Sequence, residues 1–306
     1  MKHFVLLSII AVLFLFPGCK DEVTKTIESS NNSTISVSLT NLPALGDSLI
    51  YKVWIYFGET ISPKPLRLYT FRQTNDNIAA QFSYSTNASV IAAAKYIVVT
   101  IESAKDSLND TLPSVSKILS GTFQVNAALL STGHPFSISL NLARMGGAFR
   151  LITPGIANND TSGIWFVDID STNNYVPSLN VSGQTDSSGW RYEILVTQSG
   201  QTFSLGSFID PLGTCNDSTY SGTLPIRYPG QNLIQNAPAG LTFPISLAGA
   251  GVSIYVKPVK GKFKDLPGLK ILNATIPSVI QQKLLVTLNK ADQNALPAGL
   301  MQVVIK

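Results

Sequence analysis

Charge is scarce in this chain. Asp, Glu, Lys and Arg make up 13% of its 306 residues, about half of the roughly 25% usual in globular domains. The 22 basic and 18 acidic side chains leave a net charge of +4 that is spread without a basic run, so there is no electrostatic footprint for nucleic acid. Histidine is nearly missing: beyond His3 there is only His134, in the turn Ser131–Pro135. A zinc centre asks for three or four His, Cys or carboxylate ligands, and a Ser-His-Asp relay would have to be built on His134 alone. Glu102 and Glu193 are the only glutamates inside expected strands, and no paired-carboxylate motif surrounds them. Gly146-Gly147 is followed by no helical pattern, which excludes a phosphate loop. Gly213–Asp217 lacks calcium-loop spacing. The expectation is a chain with no catalytic residue, no cofactor and no metal.

Cysteine is equally sparse, with Cys19 and Cys215 alone, and an intrachain disulfide is not expected once Cys19 is consumed as described below. The mostly apolar run Phe4–Phe16 is shorter than the roughly 20 residues that span a bilayer. Behind Lys2 it has the make-up of a secretory leader. No other segment is long and apolar enough to cross a membrane as a helix.

What the chain does contain is β-pattern. Ile35, Val37 and Leu39 alternate with Ser36, Ser38 and Thr40, the period of a half-buried strand. Leu49–Phe57 follows, with Tyr51, Val53, Ile55 and Phe57 on one face, and further strands are expected at Leu66–Phe71, Ala79–Tyr84, Tyr96–Ile101, Lys117–Val125 and Phe136–Leu142. Such spacing, near 8–12 residues with turn signals between, points to an antiparallel sandwich. Gly146-Gly147 marks a boundary, after which Ala148–Ile152, Ile164–Ile169, Lys283–Leu288 and Met301–Ile305 read as strands.

The plan then repeats. Tyr96–Phe123 and Gly251–Ile276 each carry an alternating strand (Ile97, Val99, Ile101; Val252, Ile254, Val256), a polar loop, a proline at 113 or 267, and the tripeptide Lys-Ile-Leu at 117–119 or 270–272. Ser178–Val181 corresponds to the opening strand, and Trp190-Arg191-Tyr192 to Tyr51-Lys52-Val53. The expected fold is all-β: two tandem antiparallel β-sandwich domains of Ig-like or Greek-key type, 34–145 and 146–306, after a signal peptide at 1–18 and a lipidated polar tether at 19–33. With Tyr51, Val53 and Ile55 facing inward, Trp54 and Tyr56 fall on the opposite face, where they either pack against the second module or offer a contact to a sugar ring or protein partner.

Four resemblances add expectations. Phe16-Pro17-Gly18-Cys19 resembles the bacterial lipobox, which implies cleavage before Cys19 and multiple acyl chains on it, enough for stable anchoring. Lys20-Asp21-Glu22 looks like the surface-export tag of Bacteroidota lipoproteins, implying an outer-membrane protein displayed at the cell surface. Val99-Thr100-Ile101-Glu102 with Pro113, and Leu39–Pro43 leading to Tyr51–Trp54, resemble the extracytoplasmic C-terminal domain of anti-sigma-K factors, a β-sandwich. That family's cytoplasmic sigma-binding domain and membrane span have no counterpart in this sequence. Ser48, Ser107, Thr111, Ser171 and Ser218, each directly after an Asp, resemble the Asp-Ser/Thr acceptors of Bacteroidota O-glycans, although Asp and Ser also favour turns unaided. The expected role is a non-catalytic binding, adhesion or envelope-structural lipoprotein, in contact with the membrane through Cys19 and with an unknown protein or glycan partner. The alternative is an extracytoplasmic sensor module.

Intact-mass measurement of the native protein tests the processing: the expected mass is the polypeptide from Cys19 plus acyl chains plus glycan. Cys19→Ala should abolish the acyl increment and move the protein out of the detergent phase.

Overall fold

The computed structural model describes residues 32–58, 65–73, 80–87, 91–105, 112–153, 155–156, 159–181, 184, 186–210, 219–221, 228–259 and 268–305. The fold is all-β. In the first half the strands are β1 (Asn32–Thr40), β2 (Leu49–Phe57), β3 (Leu66–Phe71), β4 (Ala80–Asn87), β5 (Ala94–Ser103), β6 (Lys117–Thr122) and β7 (Ala127–Ser131). Next come β8 (Gly146–Leu151), β9 (Ile164–Trp165), β10 (Val167–Ile169), β11 (Tyr175–Pro177) and β12 (Leu179–Asn180). The second half continues with β13 (Trp190–Gln198), β14 (Gln201–Phe208), β15 (Gly251–Pro258), β16 (Leu269–Thr275), β17 (Leu285–Thr287), β18 (Asn289–Lys290) and β19 (Ala298–Ile305).

The largest sheet runs β3-β2-β5-β6-β7-β19-β1-β4. Its alternating strands put Ile35, Val37 and Leu39 of β1, Tyr51, Val53 and Ile55 of β2, and Ile97, Val99 and Ile101 of β5 into one core cluster. β6 and β7 meet only at Ser120↔Ser131, so the sheet turns a corner there. A second sheet runs β14-β13-β15-β16-β18, and a third β12-β8-β17 with β9 also on β8. Their inward side chains, among them Tyr192, Ile194, Val252, Ile254, Val256, Phe149 and Leu151, join the same cluster.

The segments β3-β2-β5-β6 and β14-β13-β15-β16 share one strand order. They also share register. Tyr51 faces Ile101 and Phe71, and Tyr192 faces Val256 and Phe208. Each tyrosine lies 5.3 Å from its phenylalanine, centroid to centroid. The β2–β3 ladder has a bulge between Val53 and Trp54, and β13–β14 has one between Ile194 and Leu195. The β5–β6 ladder slips between Val99 and Thr100, and β15–β16 between Ile254 and Tyr255. The sequence reading set Trp190 against Tyr51; the ladders instead put Tyr192 there, two residues on, which keeps every side chain on its expected face.

β19 does not join the second half. It lies between β1 and β7, with Val37↔Met301 and Met301↔Ala128. β8 is its counterpart between β12 and β17, with Leu179↔Gly147 and Val286↔Phe149. The expected division into 34–145 and 146–306 therefore meets a strand that crosses it. A second expectation also fails: residues 136–142 form a turn rather than a strand. There the Ser137 hydroxyl donates to the carbonyls of Thr132 and His134 at 2.9 and 2.8 Å, a local alternative to ladder bonding.

On the outer face of the second half, Glu193 and Lys257 form a salt bridge although their side chains are only 7% and 9% exposed. Breaking such a pair from one side leaves a buried charge, costing about 3–5 kcal/mol. Lys257→Met should lower stability by that amount in a denaturant titration, and adding Glu193→Met should restore most of it.

Candidate functional site: the grooves beside the two crossings

Two connections carry the chain between halves. Residues 132–145 lead from β7 to β8, and residues 291–297 lead from β18 to β19. Each flanks a groove at the start of an equivalent strand. The first, a cavity of about 450 Å³, is lined by Val115, Lys117, Phe136, Ser137, Gln184 and Trp190 among others. The second, about 570 Å³, is lined by Asn41, Pro43, Lys270, Asn273, Asp292 and Leu296 among others. Lys117 and Lys270 are the lysines of the repeated Lys-Ile-Leu, and each sits just past the slip in its ladder, opposite Thr100 and Tyr255.

The two grooves differ in charge. Lys270 extends its ammonium over the Tyr255 ring, 5.9 Å from the centroid, a cation–π contact. Asp292 shares that groove, its carboxylate accepting from the Asn294 amide at 2.9 Å. Asn41, in the left-handed region at φ 57°, closes the groove's wall by donating to the carbonyls of Asn294 and Leu296 at 2.6 and 3.2 Å. In the first groove Lys117 is half-buried, and burial holds its ammonium pKa below the ordinary lysine value. The described lining residues include no carboxylate. Trp190 is buried, and its indole N–H meets no acceptor. A half-buried cation and the Trp190 ring thus border one cavity, while the indole N–H itself is sealed from solvent. Tyr192 lies behind the cavity, its hydroxyl accepting from Gln184 at 3.3 Å, and burial pushes its pKa up to about 12.

Trp54 and Tyr56 do lie opposite Tyr51, Val53 and Ile55, but they are not an exposed pair. Both are buried, in a small cluster with Val98 on the outer face of β2 and β5. The Trp54 indole donates to the Thr100 hydroxyl at 2.9 Å, which donates in turn to the Glu102 carboxylate at 2.5 Å. The Lys52 ammonium lies 5.8 Å from the Trp54 ring centroid. Burial, and then the Glu102 charge, raise the Tyr56 hydroxyl well above the ordinary tyrosine pKa. A burial of this kind is invisible in strand alternation, which assigns faces but not what covers them.

Ser48 and Ser171 are exposed at turns. Asp170 accepts from the Thr172 and Asn174 amides at 2.8 and 2.9 Å, so its place in the Asp-Ser pair is also explained by turn chemistry. Cys19, Ser107, Thr111, Cys215 and Ser218 lie outside the described residues. Among the described residues no group of three metal-ligating side chains occurs, and no helix is long and apolar enough to cross a membrane. The Lys117–Trp190 groove was missed in the sequence. Its one signal was the lysine heading the repeated Lys-Ile-Leu, inside a strand that otherwise faces a core.

Compared with known proteins, the chain matches no family model, no curated protein and no solved structure.

His134 reports on the wall of the first groove. Its Nδ1 accepts from the Phe136 amide at 3.3 Å and faces the Ser120 hydroxyl at 2.7 Å, while Nε2 faces the Thr122 hydroxyl at 3.0 Å. Burial lowers its pKa, and a proton on Nδ1 would oppose the Phe136 N–H. The folded value lies below the unfolded one. The stabilisation is therefore full above about pH 6.5 and is lost as pH falls from there through the lowered value. Melting temperature should drop between pH 7 and pH 5, and His134→Gln should flatten that slope.

Proposed function

We propose that this chain is a lipoprotein held at the bacterial outer membrane through Cys19, displayed at the cell surface, where it binds a carboxylate-bearing envelope glycan without transforming it. One observation carries the binding role: the half-buried Lys117 and the serine hydroxyls beside it line a groove whose described residues include no carboxylate. Burying an ammonium costs stability, and a ligand oxygen at the groove would offset that cost. The rest of the lining consists of apolar walls, serine hydroxyls and Gln184, a setting suited to holding an acceptor. The sequence supplies the anchor: a leader, a lipobox-like Cys19 and a polar tether that ends at β1. Glycans on Ser48 and Ser171 belong to the same proposal, as shields for loops of a charge-poor surface.

Oligogalacturonate serves as the probe, with the neutral oligogalactose as control. Binding by calorimetry should favour the uronate. Lys117→Gln should weaken it about 10- to 100-fold, the range for losing a hydrogen bond to a charged group, while the melting temperature holds or rises because a poorly solvated charge is gone. Equal binding of the neutral sugar, or an unchanged affinity in Lys117→Gln, would refute the groove as the site.

A further inference from the structure

We infer that the chain is an internal duplication whose two sandwiches have traded their closing strands, so that β1/β7 and β12/β17 are equivalent acceptor sites for one kind of donor strand. The inference is independent of any ligand and of the membrane anchor. It begins with the shared order, register and bulges of β3-β2-β5-β6 and β14-β13-β15-β16. Equivalence extends to the corner: Ser120↔Ser131 joins β6 to β7, and Asn273↔Asn289 joins β16 to β18 directly after β17. It extends to the brace of the inner tyrosine. The Tyr51 hydroxyl donates to the carbonyl of Pro43, eight residues earlier, and Tyr192 bonds to Gln184 at the same separation.

The donor strands fit the same frame. In the first acceptor, Leu39 of β1 faces Gly299, and Gly299 faces Leu130 of β7. In the second, Leu179 of β12 faces Gly147, whose carbonyl accepts from the Leu288 amide beside β17 at 2.9 Å. Gly147 and Gly299 therefore hold the same position in the two ladders, and a β-carbon is crowded at both, more severely at Gly147, whose φ of 141° also favours glycine. A Cβ on Gly299 would meet the Leu39 side chain at 2.6 Å and the Ser38 carbonyl at 3.0 Å. A Cβ on Gly147 would run into the Ser178 carbonyl and Leu179 Cα. Two residues on, Met301 and Phe149 are fully buried, and two further, Val303 and Leu151 are buried. The residues between, Gln302 and Arg150, point away from the core. Each acceptor thus takes an extended segment of the form small-Gly-x-large apolar-polar-apolar, with glycine at the close approach.

In chain order β8 follows β7 as β19 follows β17 and β18, yet each is seated in the other half. The two crossings interlock the sandwiches, since neither acceptor is filled by the strand that follows it.

The test transposes the donors in the full chain: residues 146–151 (GGAFRL) and 298–303 (AGLMQV) exchange places. The expected protein is monomeric and melts in a single transition, at a temperature below wild type because Met and Phe trade cavities. A control transposition displaced by one residue turns the large side chains outward and should not fold. The inference is overturned if the in-register exchange does no better than that control. Gly299→Val and Gly147→Val give a second reading. Each should lower one melting transition seen equally by Trp54 in the first half and Trp190 in the second. Separate transitions, or a Gly299→Val effect confined to the second half, would sink the interlock.

Discussion

Everything in the first sandwich rests on a strand that arrives last. β1 has Ile35, Val37 and Leu39 ready for a core, and β7 has Ala128 and Leu130, but without β19 the two would present unpaired edges to each other across a strand-wide gap. Burying Met301 and Val303 there is worth about 1.5–3 kcal/mol for each side chain that is fully covered. The larger effect is topological, because Ser33 pairs with Ile305. Contacts of that separation form only after most of the chain has been ordered, which slows folding. A chain that builds such a closure gains resistance to local opening, because neither half can release its sheet without disturbing the other.

The frame is strict about backbone and permissive about charge. At Lys52 the second half has Glu193, and at Glu102 it has Lys257. The same diagonal therefore carries opposite signs in the two halves, and all four side chains are buried. Glu193 and Lys257 meet across their diagonal in a salt bridge, whereas the Lys52 ammonium lies by the Trp54 ring and Glu102 accepts from the Thr100 hydroxyl. What cannot change is the presence of one of each, since a lone buried charge is costly. Glu102 takes further support from the Ser114 amide at 2.7 Å, a partner outside the diagonal. Gly147 is the opposite case, fixed by a positive φ and by contact with the Ser178 carbonyl that no rotamer change can relieve.

This division between strict and permissive also explains how much of the molecule was legible in its sequence. Period-two alternation marks Ile97, Val99 and Ile101 and their counterparts Val252, Ile254 and Val256 because one side of the sheet must be apolar, and all six are buried. Lys-Ile-Leu recurs where the ladder slip falls at the same place in both halves. The destination of β19 was hidden, because alternation tells which face a residue takes and not which strand lies beside it. Trp54 and Tyr56 stayed open between packing and partner contact for a related reason: an outward face does not say whether a second layer covers it. Residues 136–142 kept a strand-like composition while Ser137 diverted three carbonyls into a turn.

The groove that carries the proposed function follows from one difference between the halves. Opposite Lys270 stands Tyr255, and its ring gives the ammonium a negative face to lie over. The equivalent residue opposite Lys117 is Thr100. Threonine has no ring, and its hydroxyl is already engaged by Trp54 and Glu102 on the outer face. Lys117 is thus denied the partner its counterpart has, while the crossing connection at 135–139 still covers it enough to depress its pKa. Two halves of one strand order thus hold a lysine over an aromatic ring in one groove and a half-buried lysine without a ring opposite it in the other. A frame that fixes strands and bulges while leaving position 100 or 255 open to substitution can make one groove structural and the other receptive, with no change in fold.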